Sequence, residues 1–135
     1  MARRSRGREV ALQVLYQDDL NPRHNPDDDQ QFLRNRLTAP ELIEFAAGLV
    51  AGVRRNREQL DQVLAETADH WSLERMAATD RNVLRLGAYE ILHSDTPRNV
   101  AINEAVELAK RFGSRQSAQF VNGILDRLVA GQNKS

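Results

Sequence analysis

The stretch that decides the fold is residues 96–128, TPRNVAINEAVELAKRFGSRQSAQFVNGILDRL. Thr96 and Pro97 predict a helix start, because a hydroxyl caps free amides and proline needs no N–H in the first turn. Apolar residues then recur every three or four positions on one helical face, at Ile102, Ala105, Val106, Ala109 and Phe112. Gly113 predicts a helix end through a left-handed residue, and Ser114 predicts the cap of a second helix. The apolar face of this second helix is Val121, Ile124, Leu125 and Leu128. The stretch therefore predicts a pair of helices.

The composition is that of one domain with an aliphatic core. The chain has 135 residues, of which 41% are hydrophobic and 5% aromatic. It contains no cysteine, which excludes disulfides and fits a reducing cytoplasm. No apolar run approaches the roughly 20 residues that span a bilayer. The arginine-rich N-terminus lacks the apolar segment of a secretory signal. We therefore expect a cytoplasmic protein without a membrane segment.

A net charge of zero conceals two opposite patches near the N-terminus. Residues 1–17 carry four arginines against Glu9, a local charge of +3. Residues 18–29 carry five aspartates against Arg23, a local charge of −4. Guanidinium groups pair with phosphate through two parallel hydrogen bonds, so the basic patch is a candidate for phosphate binding. The alternative is a solvated charged terminus.

The first helix is predicted from about residue 4 to residue 18. Its buried stripe is Val10, Ala11, Val14 and Leu15. Arg4 and Arg8 lie on another side of this helix, with Arg6 close to them. The arginines can therefore form one exposed basic face while the aliphatic face enters the core.

Further helices are predicted in the first half of the chain. Residues 27–36 favour a short helix. Thr38 and Glu41 fit a capping box at the start of the next one, whose apolar stripe is Leu42, Phe45, Ala46, Leu49, Val50 and Val53. A second basic patch, Arg54, Arg55 and Arg57, precedes what we expect to be a separate helix with Leu60, Val63 and Leu64 inward. This patch is a weaker candidate for phosphate contact, because surface ion pairs explain it as well.

The central helix is predicted at residues 80–94, with Thr79 as its cap. Eight of its side chains leave few polar positions: Val83, Leu84, Leu86, Gly87, Ala88, Tyr89, Ile91 and Leu92. A helix that is apolar nearly all round is buried, so the second half of the chain should pack on it. Trp71 lies just before it, in the short segment HWSLERM.

The sequence lacks the patterns of an enzyme or a metal site. His24, His70 and His93 have no carboxylate or cysteine at ligand spacing. Glu104 and Glu107 are one turn apart on a helix face that is otherwise exposed, where carboxylates are ordinarily solvated. No phosphate-binding glycine loop or nucleophile elbow is present. We therefore expect no catalysis, no metal and no cofactor.

Three segments resemble the NusB family of bacterial transcription antitermination factors. RRSRGREVALQVLYQ at residues 3–17 resembles the arginine-rich first helix of the family. DRNVLRLGAYEI at residues 80–91 resembles its central buried helix, and INEAVELAKRFG with SAQFVNGILD resembles its C-terminal helix pair. The resemblance implies an all-α fold of about seven helices in two small helical-bundle subdomains, at about residues 3–68 and 71–130.

The resemblance also implies a function and an RNA surface. NusB proteins bind boxA, a single-stranded RNA element of ribosomal RNA leaders, together with NusE, a ribosomal small-subunit protein. The complex joins the elongating RNA polymerase with other Nus factors. The matching RNA-binding positions are Arg4, Arg6, Arg8, Lys110, Arg111, Phe112, Gln119 and Phe120. Gln119 departs from the basic residue often found there. Phe120 lies off the apolar stripe, so it either stacks on a base or packs on the first helix.

The implied NusE-binding positions are Tyr16, Asp80, Arg81 and Arg85. Two alternatives come from other classes of protein. A NusB-like domain also forms the N-terminal part of certain ribosomal RNA cytosine methyltransferases, but this chain ends at Ser135 without a methyltransferase domain. The other alternative is a helical interaction module, in which a homodimer could bury the arginine-rich helix.

Overall fold

The computed structural model describes residues 2–69 and 71–132. These residues form six α-helices: α1 (Ala2–Leu20), α2 (Asp29–Arg36), α3 (Pro40–Thr67), α4 (Ala78–His93), α5 (Arg98–Phe112) and α6 (Ser117–Gln132). Single turns of 3-10 helix lie at Pro26–Asp28 and Leu73–Arg75. The two described ranges contain no β-strand, which confirms the all-α fold class. His70 lies outside the described residues. None of the described helices is long and apolar enough to cross a membrane.

Helix α4 is the centre of the fold, as its apolar sequence predicts. It contacts α1, α3, α5 and α6. Val83, Leu84 and Ala88 have no exposed surface. A Cβ at Gly87 would lie only 2.8 Å from Leu125 Cδ1 and 3.2 Å from Ala105 Cβ. The glycine therefore allows α5 and α6 to pack closely against α4.

The predicted apolar stripes of the terminal helices form the core. The stripe of α1 is buried, at Val10, Ala11, Val14 and Leu15, and so is that of α6, at Val121, Ile124, Leu125 and Leu128. The α5 stripe is buried at Ile102, Ala105 and Ala109. The division of the chain into two subdomains stays a prediction.

The prediction of two helices between residues 38 and 67 is wrong, because α3 is one helix of 28 residues. The second basic patch does not interrupt it, since arginine is a good helix former and no glycine or proline follows. Arg54 donates to Asp18 Oδ2 at 2.7 Å and pairs with Asp29 Oδ2 at 2.6 Å. Arg57 pairs with Asp19 at 3.6 Å. These contacts join α3 to α1 and α2. They pair the second basic patch with the acidic patch at residues 18–29.

The predicted threonine caps are also wrong. Helices α3, α4 and α5 begin after Ala39, Ala77 and Pro97, and none has a side-chain cap. Thr96 instead donates from Oγ1 to Glu90 Oε1 at 3.0 Å. Its hydroxyl is therefore used in tertiary packing on α4 and is not available to the free amides of α5.

Gly113 ends α5 for a reason other than the predicted one. Its φ of −98° and ψ of −167° are extended, not left-handed. A Cβ there would lie 2.6 Å from Ser117 Cβ and 2.8 Å from Ala109 O. The Ser114 N–H donates to Ser117 Oγ at 2.9 Å, which closes the corner between α5 and α6. Close approach at this corner, and not backbone conformation, requires glycine.

Candidate nucleic-acid interface

The N-terminal part of α1 meets the C-terminal part of α5 at one carboxylate, Glu9. It accepts Arg6 Nη1 at 3.0 Å through Oε2 and Arg111 Nη1 at 2.7 Å through Oε1. The side chains of Arg6 and Arg111 are 45% and 62% exposed, whereas that of Glu9 is 12% exposed. We call this arrangement the Glu9 bridge. It brings together two predicted RNA-binding arginines from opposite ends of the chain.

Two more predicted residues lie beside Arg111 at the end of α5. Lys110 is exposed and pairs with Glu107 at 3.1 Å, one turn earlier on the same helix. Phe112 is exposed although it continues the apolar stripe of α5. Arg111 Cζ lies 5.5 Å from the centroid of the Phe112 ring. Exposed cations next to an exposed ring are the groups that hold single-stranded nucleic acid.

Arg4 lies on a different side of α1 from Arg6. Two residues correspond to about 200° of rotation around a helix. Arg4 accordingly faces α3, with its Cζ 4.5 Å from the centroid of the Phe45 ring. The structure therefore separates Arg4 from the Glu9 bridge.

The expectation that Arg8 belongs to an exposed basic face is wrong. Its side chain is 4% exposed. It donates from Nε and Nη2 to the two oxygens of Glu90, both at 2.8 Å, and from Nη1 to Glu104 Oε1 at 3.0 Å. Burial lowers the pKa of Arg8, but the hydrogen bonds and charges of Glu90 and Glu104 outweigh burial, so the pKa is raised. Arg8 therefore joins α1 to α4 and α5 inside the protein.

Phe120 on α6 contacts a partner, Trp71, that the sequence did not reveal. Phe120 is half-buried and packs edge-to-face on Trp71, with ring centroids 5.2 Å apart and planes at 76°. Trp71 is 56% exposed. Gln119, the neighbouring predicted residue, is exposed. The signal for Trp71 was its place as the one tryptophan of the chain in a short segment beside the central helix.

Two of the predicted NusE-binding residues belong to an ion-pair network around Asp19. Arg81 Nε donates to Asp19 Oδ2 at 2.7 Å, and Arg85 Nε donates to Asp61 Oδ1 at 2.7 Å. Burial raises the pKa of Asp19, but hydrogen bonds from Arg81 and Asn82 outweigh it and hold this pKa below its ordinary value. The Arg85 side chain is only 5% exposed. The guanidinium of Arg85 is therefore enclosed, and its assignment to the NusE-binding surface stays a prediction.

The other two lie near a separate groove between α1, α2 and the end of α5. Tyr16 lines this groove with Leu12, Phe32 and Phe112. Thr79 lines it too and precedes Asp80. Asp80 Oδ1 is buried and has no hydrogen-bond partner within residues 2–69 and 71–132. Arg81 lines a second depression together with Asp19 and Asp61, so Tyr16 and Arg81 lie in different depressions of the surface.

The two described histidines make local polar contacts. His24 Nε2 lies 2.8 Å from Asp29 Oδ1, and His93 Nε2 lies 2.7 Å from Gln59 Oε1. No group of three or more histidine, aspartate or glutamate side chains in the described ranges is arranged to hold a metal ion.

Comparison with known proteins identifies the family. The model of the NusB family matches residues 5–130. A relative from Anaeromyxobacter dehalogenans strain 2CP-1, named transcription antitermination protein NusB, is 44% identical over 131 residues, covering 96% of this chain and 92% of the relative. The structure of T. maritima NusB matches with a TM-score of 0.83 and 36% identity, over 94% of this chain and 90% of that one. A crystal structure of antitermination factors NusB and NusE in complex with double-stranded RNA matches with a TM-score of 0.85 and 27% identity, over 97% and 98%. The chain belongs to the NusB family.

Proposed function

We propose that this protein is a transcription antitermination factor. It binds boxA-type single-stranded RNA of ribosomal RNA leaders together with NusE and joins the elongating RNA polymerase with other Nus factors in the cytoplasm. Family membership supports this proposal, as does the similarity to a NusB that was solved with NusE and RNA. The protein acts by binding and carries out no catalysis.

The Glu9 bridge is the observation that supports the proposed RNA binding most directly. Single-stranded RNA is held by cations on its phosphates and by aromatic rings against its unstacked bases. Arg6, Lys110 and Arg111 supply exposed cations on one surface, and Phe112 supplies an exposed ring beside them. The exposed Gln119 and the half-buried Phe120 on α6 are further proposed contacts, and Arg4 is a peripheral one. Arg8 supports the surface from inside, because it fixes α1 against α5.

The NusE-binding part is assigned to the groove at Tyr16 and to the nearby start of α4. The groove is lined by four apolar or aromatic side chains and by four polar ones, a mixture that suits a transient protein partner. Asp80 is half-buried and directly follows Thr79, which lines this groove, so its side chain is the proposed polar contact there. Arg81 lies in the second depression, held in place by Asp19, and is the proposed charged contact.

The test of the function is transcription in vitro through a terminator placed behind a boxA leader. Reactions contain RNA polymerase, the other Nus factors and NusE, with or without this protein. We expect readthrough to rise when the protein is added and to return to the basal level when boxA is scrambled. An equal effect on both templates would contradict boxA-directed antitermination. Light scattering with and without NusE tests the remaining prediction of a homodimer.

A further inference from the structure

The exposed cations of the proposed RNA surface are already paired with carboxylates. Glu9 accepts a hydrogen bond from both Arg6 and Arg111, and Glu107 pairs with Lys110. Of these two carboxylates Glu9 is the unusual one, because it bridges two helices and is mostly buried, while Glu107 is exposed and pairs within its own helix. An RNA phosphate that approaches Arg6 or Arg111 therefore meets a negative charge that is fixed between them.

The geometry of the Glu9 bridge leaves room for a phosphate. Each arginine uses only Nη1 toward Glu9 among the described residues, so Nε and Nη2 of Arg6 and Arg111 stay available as donors. Both side chains are exposed over about half of their surface, so their guanidinium groups can turn outward. Glu9 cannot follow, because its side chain is 12% exposed and lies between α1 and α5.

We propose that Glu9 competes with RNA phosphates for Arg6 and Arg111 and thereby limits the RNA affinity of this protein. The inference rests on the proposed RNA-binding function. In the free protein one carboxylate neutralises half of the charge of the two arginines and holds their side chains in place. In the complex the phosphate must draw the guanidinium groups away from Glu9 or tolerate its charge. Glu9 therefore lowers the affinity of the protein for RNA of any sequence.

The proposal predicts that RNA affinity changes while the preference for boxA RNA over a scrambled RNA does not. Phosphate contacts carry no information about base sequence. Replacing Glu9 should therefore strengthen binding to boxA RNA and to a scrambled RNA by the same factor, so that their ratio stays constant. The release of two partly exposed ion pairs corresponds to a gain of roughly 2- to 30-fold. The salt dependence should steepen by about 0.7 log units for each phosphate that is newly neutralised.

The experiment compares Glu9→Gln with the wild-type protein in titrations of both RNAs at two salt concentrations. Glu58→Gln is the matched control, since it removes one exposed carboxylate from α3. Glu9→Asp keeps the charge and should bind within about twofold of the wild type, as expected where no exposed ion pair is released. Thermal denaturation of each variant is measured to check that the fold is intact. We expect tighter binding for Glu9→Gln alone.

A second pair of variants tests the mechanism. In an Arg111→Gln background only Arg6 is left for Glu9→Gln to release. The gain in RNA-binding free energy should therefore shrink by at least half. An equal gain in that background would overturn the competition between Glu9 and the phosphate. Unchanged or weaker binding by a folded Glu9→Gln protein would overturn the proposal while leaving selective RNA binding intact. A wild-type protein that binds neither RNA would overturn the proposed function as well.

Discussion

Arg8 and Glu90 form a two-pronged ion pair inside the molecule, with Nε–Oε2 and Nη2–Oε1 distances of 2.8 Å. Arg8 belongs to an arginine-rich segment whose sequence favours a phosphate-binding surface, yet it is 3% exposed. Glu90 is a single acid on an otherwise apolar face of α4. The pair joins the first helix to the central one, and Glu104 extends it to α5.

Replacing Arg8 by alanine should destabilise the fold. The change leaves Glu90 buried without its partner, which costs on the order of 3–5 kcal/mol. Denaturant unfolding followed by circular dichroism measures the loss. The double variant Arg8→Met/Glu90→Leu is the control, because it removes both buried charges and should recover part of the stability. A loss below about 1 kcal/mol for Arg8→Ala would match a surface ion pair and contradict this account.

Removing both arginines of the Glu9 bridge should weaken RNA binding with little effect on stability. The variant Arg6→Ala/Arg111→Ala loses exposed cations, so its salt dependence should flatten by about 0.7 log units for each lost phosphate contact. Titrations at several salt concentrations give this slope. The control Arg23→Ala/Arg34→Ala removes the same charge from exposed positions in and just before α2, outside both basic patches. If the control weakened binding as much, net charge alone would explain the effect.

Phe120 tests the aromatic part of the surface. The variant Phe120→Ala should weaken RNA binding by on the order of 1–3 kcal/mol, the contribution of a ring that stacks on a base. It should also change the fluorescence of Trp71, the one tryptophan of the chain, because the edge-to-face contact is lost. Titration and thermal denaturation are measured on the same samples. Lower stability with unchanged RNA affinity would assign Phe120 to packing on Trp71 alone.

Asp19 makes stability depend on pH in the acid range. Its pKa is lower in the folded protein than the ordinary value of 3.8, chiefly because hydrogen bonds from Arg81 and Asn82 overcome the opposing effect of burial. A group with a lowered pKa stabilises the fold above its unfolded pKa, and this contribution disappears as the pH falls through its folded pKa. The variant Asp19→Asn should therefore be less stable than the wild type at pH 7. The difference should shrink as the pH falls below about 4. A difference that is constant between pH 7 and pH 3 would contradict this assignment.

The sequence predicted what depends on local pattern and missed what depends on distant partners. The apolar spacing of α1, α5 and α6 located the core stripes, and the apolar α4 was recognised as central. The ion pairs of Arg8 with Glu90 and Glu104 join residues far apart in sequence, so the helix pattern alone placed Arg8 on an exposed face. The break predicted before Leu60 relied on a run of arginines, which a helix accommodates when carboxylates such as Asp18 lie nearby in the fold.

The sequence predicted only part of the candidate site, again because some of its contacts join residues that are distant in the chain. The resemblance named Arg6, Arg111 and Phe112, which the structure places on one surface. It did not name Glu9, whose role depends on the contact between α1 and α5. It grouped Tyr16 with Arg81 and Arg85, whereas Tyr16 lines the groove between α1 and α2 and the two arginines line a second depression with Asp19 and Asp61.

The central claim is selective binding of boxA RNA through this surface. The most direct measurement is a titration of the protein, alone and with NusE, against a boxA RNA and a scrambled RNA of equal length at two salt concentrations. We predict that boxA RNA binds more tightly than the scrambled RNA and that NusE increases the difference. Equal affinity for the two RNAs, with and without NusE, would contradict the account.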